Sequence, residues 1–319
     1  MRILIYGAGA VGLGLASCLL KSKNTVDVIA RPKTVALLKK KGLIRRGIFG
    51  EFKAAPKTFG AYSSLAALPR KNYDFILVTT KSFDSQTAAG ELARRKFLLH
   101  AKTKIVLCQN GWGNAEIFAR YFSKTRIKNA RVITGFIRPN PNEVAITVHA
   151  DSVHIGSLFD KNVEALLPLA RAISDGGLPA AVTKSVEKDL WAKMLYNCAL
   201  NSLGAILEVP YGVLGKRPFS RGLMDKIIRE AFAVMKAAGY TTHWKTPKEY
   251  LKAFYSKLLP PTAGHNSSTL QDIKAGKKTE IDALNGIVIT FSRRYKIPAP
   301  ANRTVYEMVK FIEGRNQKA

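Results

Sequence analysis

The stretch that most restricts how this chain can fold lies near its start. Gly7-Ala8-Gly9-Ala10-Val11-Gly12 sits between two short apolar runs, Arg2–Tyr6 and Val26–Ala30, and an apolar-periodic helix continues through Leu20. Strand, tight turn, helix and strand follow one another within about thirty residues, the setting in which GxGxxG spacing has a physical meaning. Gly7 permits the turn, Gly9 lets the backbone approach a pyrophosphate, and Gly12 allows the helix to pack closely on the strand. The helix then presents the N–H groups of Ala10 and Val11, and the positive end of its dipole, to the phosphates. These residues predict a Rossmann-type α/β domain with a mostly parallel sheet that holds a dinucleotide.

The residue after the second strand separates the two nicotinamide dinucleotides. NAD-preferring folds place a carboxylate there for the ribose 2′-hydroxyl. This chain reads Ile29-Ala30-Arg31-Pro32-Lys33, with Arg31 where a guanidinium pairs with a 2′-phosphate and stacks on adenine. Lys33 adds charge, and NADPH is the expected cofactor. On these residues alone the alternative is a solvent-facing loop arginine.

A helix is predicted at 34–41, short strands between Gly42 and Gly60, and buried strands at 74–80 and 104–109. The last two end at Lys81-Ser82 and Asn110-Gly111. Ligands of open α/β sheets bind beyond the carboxyl ends of the strands, so Lys81 and Asn110 are candidates for lining a cofactor crevice. Ordinary turn chemistry is the other explanation of each. Residues 131–138, 143–149 and 152–156 alternate and predict a meander that extends the sheet, followed by a helix at 162–174 and a last strand at 180–183.

From Ser185 helical patterns take over, at 185–203, 220–238, 247–257, 270–274, 280–295 and 302–313. The change places a domain boundary near Lys184, giving a dinucleotide-binding domain at 1–184 and an all-helical substrate domain at 185–319. The first of these helices contains neither Gly nor Pro before Leu203. At about 100° per residue, Lys193, Asn197 and Asn201 form one stripe along it. Trp191, Met194, Leu195, Cys198, Ala199 and Leu203 make the rest of the wheel apolar, as in a buried helix. An unpaired buried polar group costs ~1–3 kcal/mol and a buried charge more, so the stripe needs partners. A snorkelling lysine with two backbone-bonded amides and a ligand site both satisfy that need. Further along, Ser267 or Ser268 is placed to cap a helix. Glu280 is expected to open another, where a carboxylate suits the dipole.

The net charge is +29. Its 26 basic and 9 acidic residues up to Asp160, against 25 and 13 from Lys161 on, spread the excess over both halves. A field that attracts small anions is the economical reading, and specific nucleic-acid binding is not expected. The longest apolar runs are strand-length, which predicts no membrane span, and no signal peptide is read at the start. Cys18, Cys108 and Cys198 are expected as reduced core thiols of a cytoplasmic protein. The five histidines lack metal-ligand spacing, so no metal is expected.

Taken together, the GxGxxG, Arg31, Lys81, Asn110-Gly111, Trp191-x-Lys193-x3-Asn197-x3-Asn201 and Ser268-x2-Gln271-Asp272-x7-Glu280-Ile281-Asp282-x2-Asn285-Gly286 resemble the ketopantoate reductase (2-dehydropantoate 2-reductase) family over nearly the whole length. The resemblance implies an NADPH-dependent reductase with an N-terminal Rossmann domain, an all-helical C-terminal domain and an active site in the cleft between them. It implies reduction of a 2-oxo acid to the 2-hydroxy acid, with ketopantoate to pantoate in pantothenate and coenzyme A biosynthesis as the leading reaction. By the same resemblance Lys193 is the general acid and Glu280 the carboxylate that organises cofactor and substrate. Asn197, Asn201 and Ser268 match substrate-binding positions, Asn110 bridges cofactor and substrate, and Arg31 and Lys81 contact the cofactor.

The chain departs from the family pattern at two places. Tyr211, in Pro210-Tyr211-Gly212, falls where pantoate-making members often carry Asn, and His265 falls at another expected Asn, which a one-residue shift would assign to Asn266. A different branched or aromatic 2-oxo acid is therefore the second expectation. A non-enzymatic NADPH-binding module with a nucleic-acid-binding surface is the third, and intact Lys193 and Glu280 argue against it. A homodimer is the assembly considered.

Overall fold

The computed structural model describes residues 1–316. The chain divides into two compact units, one of residues 1–109 and 114–186, the other of residues 110–113 and 187–319. The short loop Asn110–Gly113 is thus part of the second unit although the chain on either side of it belongs to the first.

The first unit opens with β1 (Arg2–Tyr6), α1 (Ala10–Lys21), β2 (Thr25–Ile29) and α2 (Pro32–Lys41), then β3 (Leu43–Gly47), β4 (Phe52–Ala54) and β5 (Gly60–Tyr62). It continues through β6 (Tyr73–Val78), α3 (Ser85–Ala93), β7 (Leu99–Leu107), α4 (Asn114–Phe118) and β8 (Ile127–Arg131). It ends with β9 (Thr134–Asn140), β10 (Glu143–His149), β11 (Val153–Gly156), α5 (Leu167–Asp175) and β12 (Ala180–Val182). Eight of these strands, counted among the described residues, form a sheet in the order β12-β11-β8-β7-β6-β1-β2-β5. It is parallel except where β11 meets β8. Strand order reverses at β1, which lies between β2 and β6, and an open α/β sheet forms its ligand crevice at such a switch point.

The predicted meander is corrected by the structure. Of its three strands only β11 joins the main sheet, beside β8, which the sequence reading lacks, while β9 and β10 lie with β3 and β4 in a second sheet ordered β4-β3-β10-β9. The reason is burial. Gly12 through Leu19 of α1 are all buried, so that helix needs cover on both sides. The second sheet supplies it with Phe136, Val144 and Ile146, which share one core with Leu13, Leu15 and Ala16. Ile137, Arg138, Pro139 and Asn140 of β9 stay exposed, which a strand covered on both faces does not allow.

The second unit is helical: α6 (Val186–Ile206), α7 (Tyr211–Lys216), α8 (Pro218–Ala237), α9 (Pro247–Ala253), α10 (Ser268–Lys274), α11 (Asn285–Tyr295) and α12 (Pro300–Asn316). The first residue of α6, Val186, is counted with the first unit. Helices α3, α4 and α7 are additions to the sequence reading. The span expected as one helix from Glu280 to Tyr295 is two pieces, a 3₁₀ turn at Ile281–Ala283 and α11. Leu284, at φ −108° and ψ −104°, breaks the run. Asn285 ties α11 to α6 by donating to the Cys198 carbonyl at 3.1 Å and to Asn302 Oδ1 at 3.0 Å. Asn302 in turn donates to the Ile227 carbonyl of α8 and to Glu230, at 3.0 and 2.9 Å. No helix among the described residues is long and apolar enough to cross a membrane.

One ion pair in the first unit, a buried lysine with a half-buried aspartate, gives a test of the fold. Lys128 of β8 is 2% exposed, and its ammonium donates to both carboxylate oxygens of Asp160, at 2.9 and 2.8 Å. Desolvation pushes the Asp160 carboxyl up, but hydrogen bonding to Lys128 and its charge outweigh that and hold it below the usual carboxylate value. A depressed folded-state value stabilises above the unfolded value, and the gain is lost as pH falls through the folded one. Asp160→Asn should cost about 3 kcal/mol in denaturant unfolding at neutral pH. Its gap to the native protein should close as pH drops through the Asp160 titration.

Candidate functional site

The glycines after β1 divide their work. Gly7 has φ +116°, and a Cβ there would stand 2.8 Å from Thr80 N, so both backbone and space demand glycine. At Gly12 a Cβ would overlap the Gly7 carbonyl oxygen and lie 2.6 Å from Thr79 Oγ1. Gly9 is different: its φ is −72°, and the nearest atom to an added Cβ is Thr79 O at 3.9 Å. Nothing in the protein requires glycine at position 9. A phosphate resting on the backbone would, because a side chain would occupy its place. Gly9 is also the N-cap of α1, with no acidic residue in the first turn and no side chain bonded to the cap. The N–H groups of Ala10, Val11 and Gly12 therefore head a helix with an open positive end. The residues present fit a dinucleotide pyrophosphate.

Arg31 follows β2 as the N-cap of α2, its carbonyl accepting from Thr34 N and Val35 N at 2.9 and 3.0 Å. Its side chain is exposed and makes no ion pair among the described residues. Lys81 stands beyond the end of β6, half-buried, as the cap of a 3₁₀ turn at Ser82–Asp84. Its carbonyl accepts from Gln109 Nε2 at 3.2 Å. Glycine loop, Arg31 and Lys81 thus all lie at the carboxyl ends of β1, β2 and β6.

The second unit gathers the remaining residues. The Lys193 ammonium donates to Asn110 Oδ1 at 2.7 Å, and Asn110 Nδ2 donates to Glu280 Oε2 at 3.0 Å. The amide oxygen faces the cation and the amide nitrogen the anion, so its orientation is set by charge at both ends. Glu280 is 7% exposed, a depth at which a carboxylate must be paired. The geometry has local causes. Gly111 and Gly113 take φ +84° and +96°, which turns the loop back so that Trp112 N donates to the Ala283 carbonyl at 3.0 Å. Ala283 closes the 3₁₀ turn that begins beside Glu280, so one backbone bond fixes Asn110 against the carboxylate. The Trp112 ring packs on Trp191 and Tyr240, with centroids 4.9 and 4.8 Å apart. Trp191 precedes Lys193 by two residues on α6, so the same loop is clamped to the helix that carries the ammonium.

Residues 3–159 match the family model described as ketopantoate reductase PanE/ApbA, and residues 185–313 match its C-terminal counterpart. A 2-dehydropantoate 2-reductase of Aquifex aeolicus is 36% identical over 319 residues, spanning 100% of this chain and 99% of the relative.

The chain belongs to the ketopantoate reductase family.

It is an oxidoreductase acting on a CH–OH group, of a family that uses a nicotinamide cofactor. A PanE/ApbA family ketopantoate reductase structure from Ralstonia eutropha superposes with a TM-score of 0.84 at 29% identity, covering 99% of this chain and 100% of that one. A D-mandelate dehydrogenase bound to NADH and anilino(oxo)acetate shares the fold, with a TM-score of 0.87 at 24% identity over 99% of each chain.

Within this reductase, α6 carries the rest of the polar stripe. Asn197 is 6% exposed, and its side-chain amide makes no hydrogen bond among the described residues. Asn201 is held by Tyr211, whose hydroxyl donates to Asn201 Oδ1 at 2.5 Å. Asn201 Nδ2 then points to Ser268 Oγ at 3.5 Å. Ser268 opens α10, and the cap itself is Ser267, whose hydroxyl accepts from Leu270 N. Tyr211 is buried and its ring packs against Tyr196 and His265 at 5.8 and 5.5 Å. Burial, then Tyr196, raises the Tyr211 phenol well above its usual value, so it stays a donor. Burial holds the His265 imidazole below its usual value.

The clamp of Trp112 and Tyr240 on Trp191 carries no local sequence signal, because its members lie far apart in the chain. Tyr211 stood out only as a departure from the family pattern, and its bond to Asn201 is its structural content. The two glycines supply a paired test. Gly9→Ala should leave thermal stability unchanged and weaken dinucleotide binding by about tenfold or more, read by titration of the reduced cofactor's fluorescence. Gly12→Ala should destabilise the fold by about 2 kcal/mol or more, because its Cβ meets backbone.

Proposed function

We propose that this reductase converts a 2-oxo acid to the 2-hydroxy acid with NADPH, and that its leading substrate is 2-dehydropantoate, reduced to pantoate on the route to pantothenate and coenzyme A. The observation that carries the proposal is the Lys193 ammonium held by Asn110 beside the buried Glu280 carboxylate. The names of the relatives point to the same substrate.

NADPH, when bound, supplies the hydride that reduces the carbonyl carbon. The chain's residues do the rest. Gly7 to Gly12 and the N–H groups of Ala10 and Val11 hold the pyrophosphate, and Arg31 holds the 2′-phosphate. Lys81 and Asn110 orient the cofactor. Negative charge develops on the carbonyl oxygen as the carbon is reduced, and the Lys193 ammonium stabilises it and donates the proton that completes the alcohol. The neutral amine left behind regains its proton from solvent. Asn110 and Glu280 keep the ammonium in place, and Asn197, Asn201 and Ser268 offer the donors and acceptors that position a hydroxylated carboxylate.

A second reading, another branched or aromatic 2-oxo acid, is favoured by Tyr211 and His265. Tyr211 occupies Asn201 Oδ1 and presents a ring where an amide is expected, which changes both pocket volume and donor pattern. A panel of 2-oxo acids followed by cofactor absorbance, with NADH as control, decides between them. Selective NADPH oxidation with 2-dehydropantoate supports the first reading, and turnover of another member alone supports the second. Silence across the panel removes both. Lys193→Ala should lower the chemical rate by ~10²–10⁴-fold while NADPH binding stays nearly intact.

A further inference from the structure

The second sheet of the first unit does more than cover α1. Its strand β9 carries Arg138, whose guanidinium reaches back across the chain to the glycine loop. Nη1 donates to the Ala8 carbonyl at 2.8 Å, and Nη2 donates to Thr34 Oγ1 at 3.0 Å. Ala8 lies inside GxGxxG, and Thr34 lies in the first turn of α2, three residues after Arg31. Arg138 is thus anchored between the two segments that frame the adenosine end of a dinucleotide.

Its surroundings lack a counter-charge. Among the described residues neither Arg138 nor Arg31 pairs with a carboxylate, and the first turn of α2 has no acidic residue. Lys33 and the positive end of the helix add to the same sign. Partial desolvation, and then the charge of Arg31, hold the Arg138 guanidinium below the usual arginine value. An anion bound beside both guanidinium groups would relieve that repulsion. A guanidinium has five N–H donors, and the two bonds to Ala8 and Thr34 leave further donors to offer.

We propose that Arg138 is a second specificity residue for the cofactor, closing with Arg31 on the 2′-phosphate of NADPH. The assignment rests on the NADPH reading above. The bonds to Ala8 and Thr34 fix the fork in advance, so little side-chain freedom is lost when the phosphate monoester arrives. The bonds also explain why the arginine comes from β9 and not from α2. Only an element lying across α1 reaches the glycine loop and the α2 start together.

The test is equilibrium binding to the full-length protein, without turnover. NADPH and NADH are titrated by fluorescence, and 2′,5′-ADP and 5′-AMP by calorimetry, against native protein, Arg138→Gln and Arg138→Lys. Glutamine keeps an amide donor for the Ala8 carbonyl and removes the charge; lysine keeps the charge and loses the fork. The expected result is a loss of about 10- to 100-fold for NADPH and 2′,5′-ADP in Arg138→Gln. NADH and 5′-AMP should change by less than about threefold, with a smaller 2′-phosphate loss in Arg138→Lys and unchanged melting temperatures. Equal weakening of all four ligands would overturn the proposal and make Arg138 a support for the loop. Retained preference for the 2′-phosphate in Arg138→Gln would overturn it as well. Native protein that binds NADPH and NADH equally would instead remove the NADPH reading on which it rests.

Discussion

A single amide sets the chemistry of the second unit. Asn110 stands between an ammonium and a carboxylate, and each end of its side chain meets the charge it complements. If the amide were lost, Glu280 would be a buried anion without this donor, and the Lys193 ammonium would lose the acceptor that aims it. The loop that carries Asn110 is held on several sides: two glycines at positive φ, one backbone bond to Ala283, and an indole packed against Trp191 and Tyr240. Four residues, 110–113, belong with the helical unit for this reason. They bring the Asn110 amide to Lys193 and Glu280, so that three distant parts of the chain meet within that unit.

The first unit places its glycine loop, Arg31 and Lys81 at the carboxyl ends of neighbouring strands. Gly7 and Gly12 are glycines for the protein's own sake, since backbone angle and packing demand them. Gly9 is under no such demand, since the atom nearest an added Cβ is Thr79 O at 3.9 Å. At the α2 start Arg138 reaches Thr34, within the field of Arg31, and neither guanidinium has an acidic partner among the described residues. The excess charge of +29 is general to the surface, but at this place it is arranged.

How much of this was legible follows from how local each feature is. The glycine motif and the first strands and helices announce themselves through spacing, because turn, dipole and packing act within a few residues. The Lys193 stripe is equally local, and the buried helix predicted from it is α6. The sheet assignment of 131–156 failed because a period of two says that a strand has one buried face, not which layer buries it. Phe136 fills the space left by Gly14, a contact between residues 122 apart. Glu280 was expected to open a helix because apolar spacing continues through Ile281 and Leu284. The break at Leu284 is a tertiary effect, with Asn285 drawn to the Cys198 carbonyl. Arg138 reads in sequence as one more exposed charge, and only the fold brings it to Ala8. Lys193 and Glu280 are named by their resemblance to a family, and their common contact with Asn110 is visible only in three dimensions.

The central claim is that the Lys193 ammonium is the proton donor. Single-turnover oxidation of NADPH by Lys193→Ala, with the preferred 2-oxo acid and increasing concentrations of small primary ammonium ions, tests it most directly. The account predicts slow turnover without amine and a saturable recovery with it, greater for amines small enough to fill the space of the lost side chain. A rate equal to that of the native protein with no amine present would contradict it.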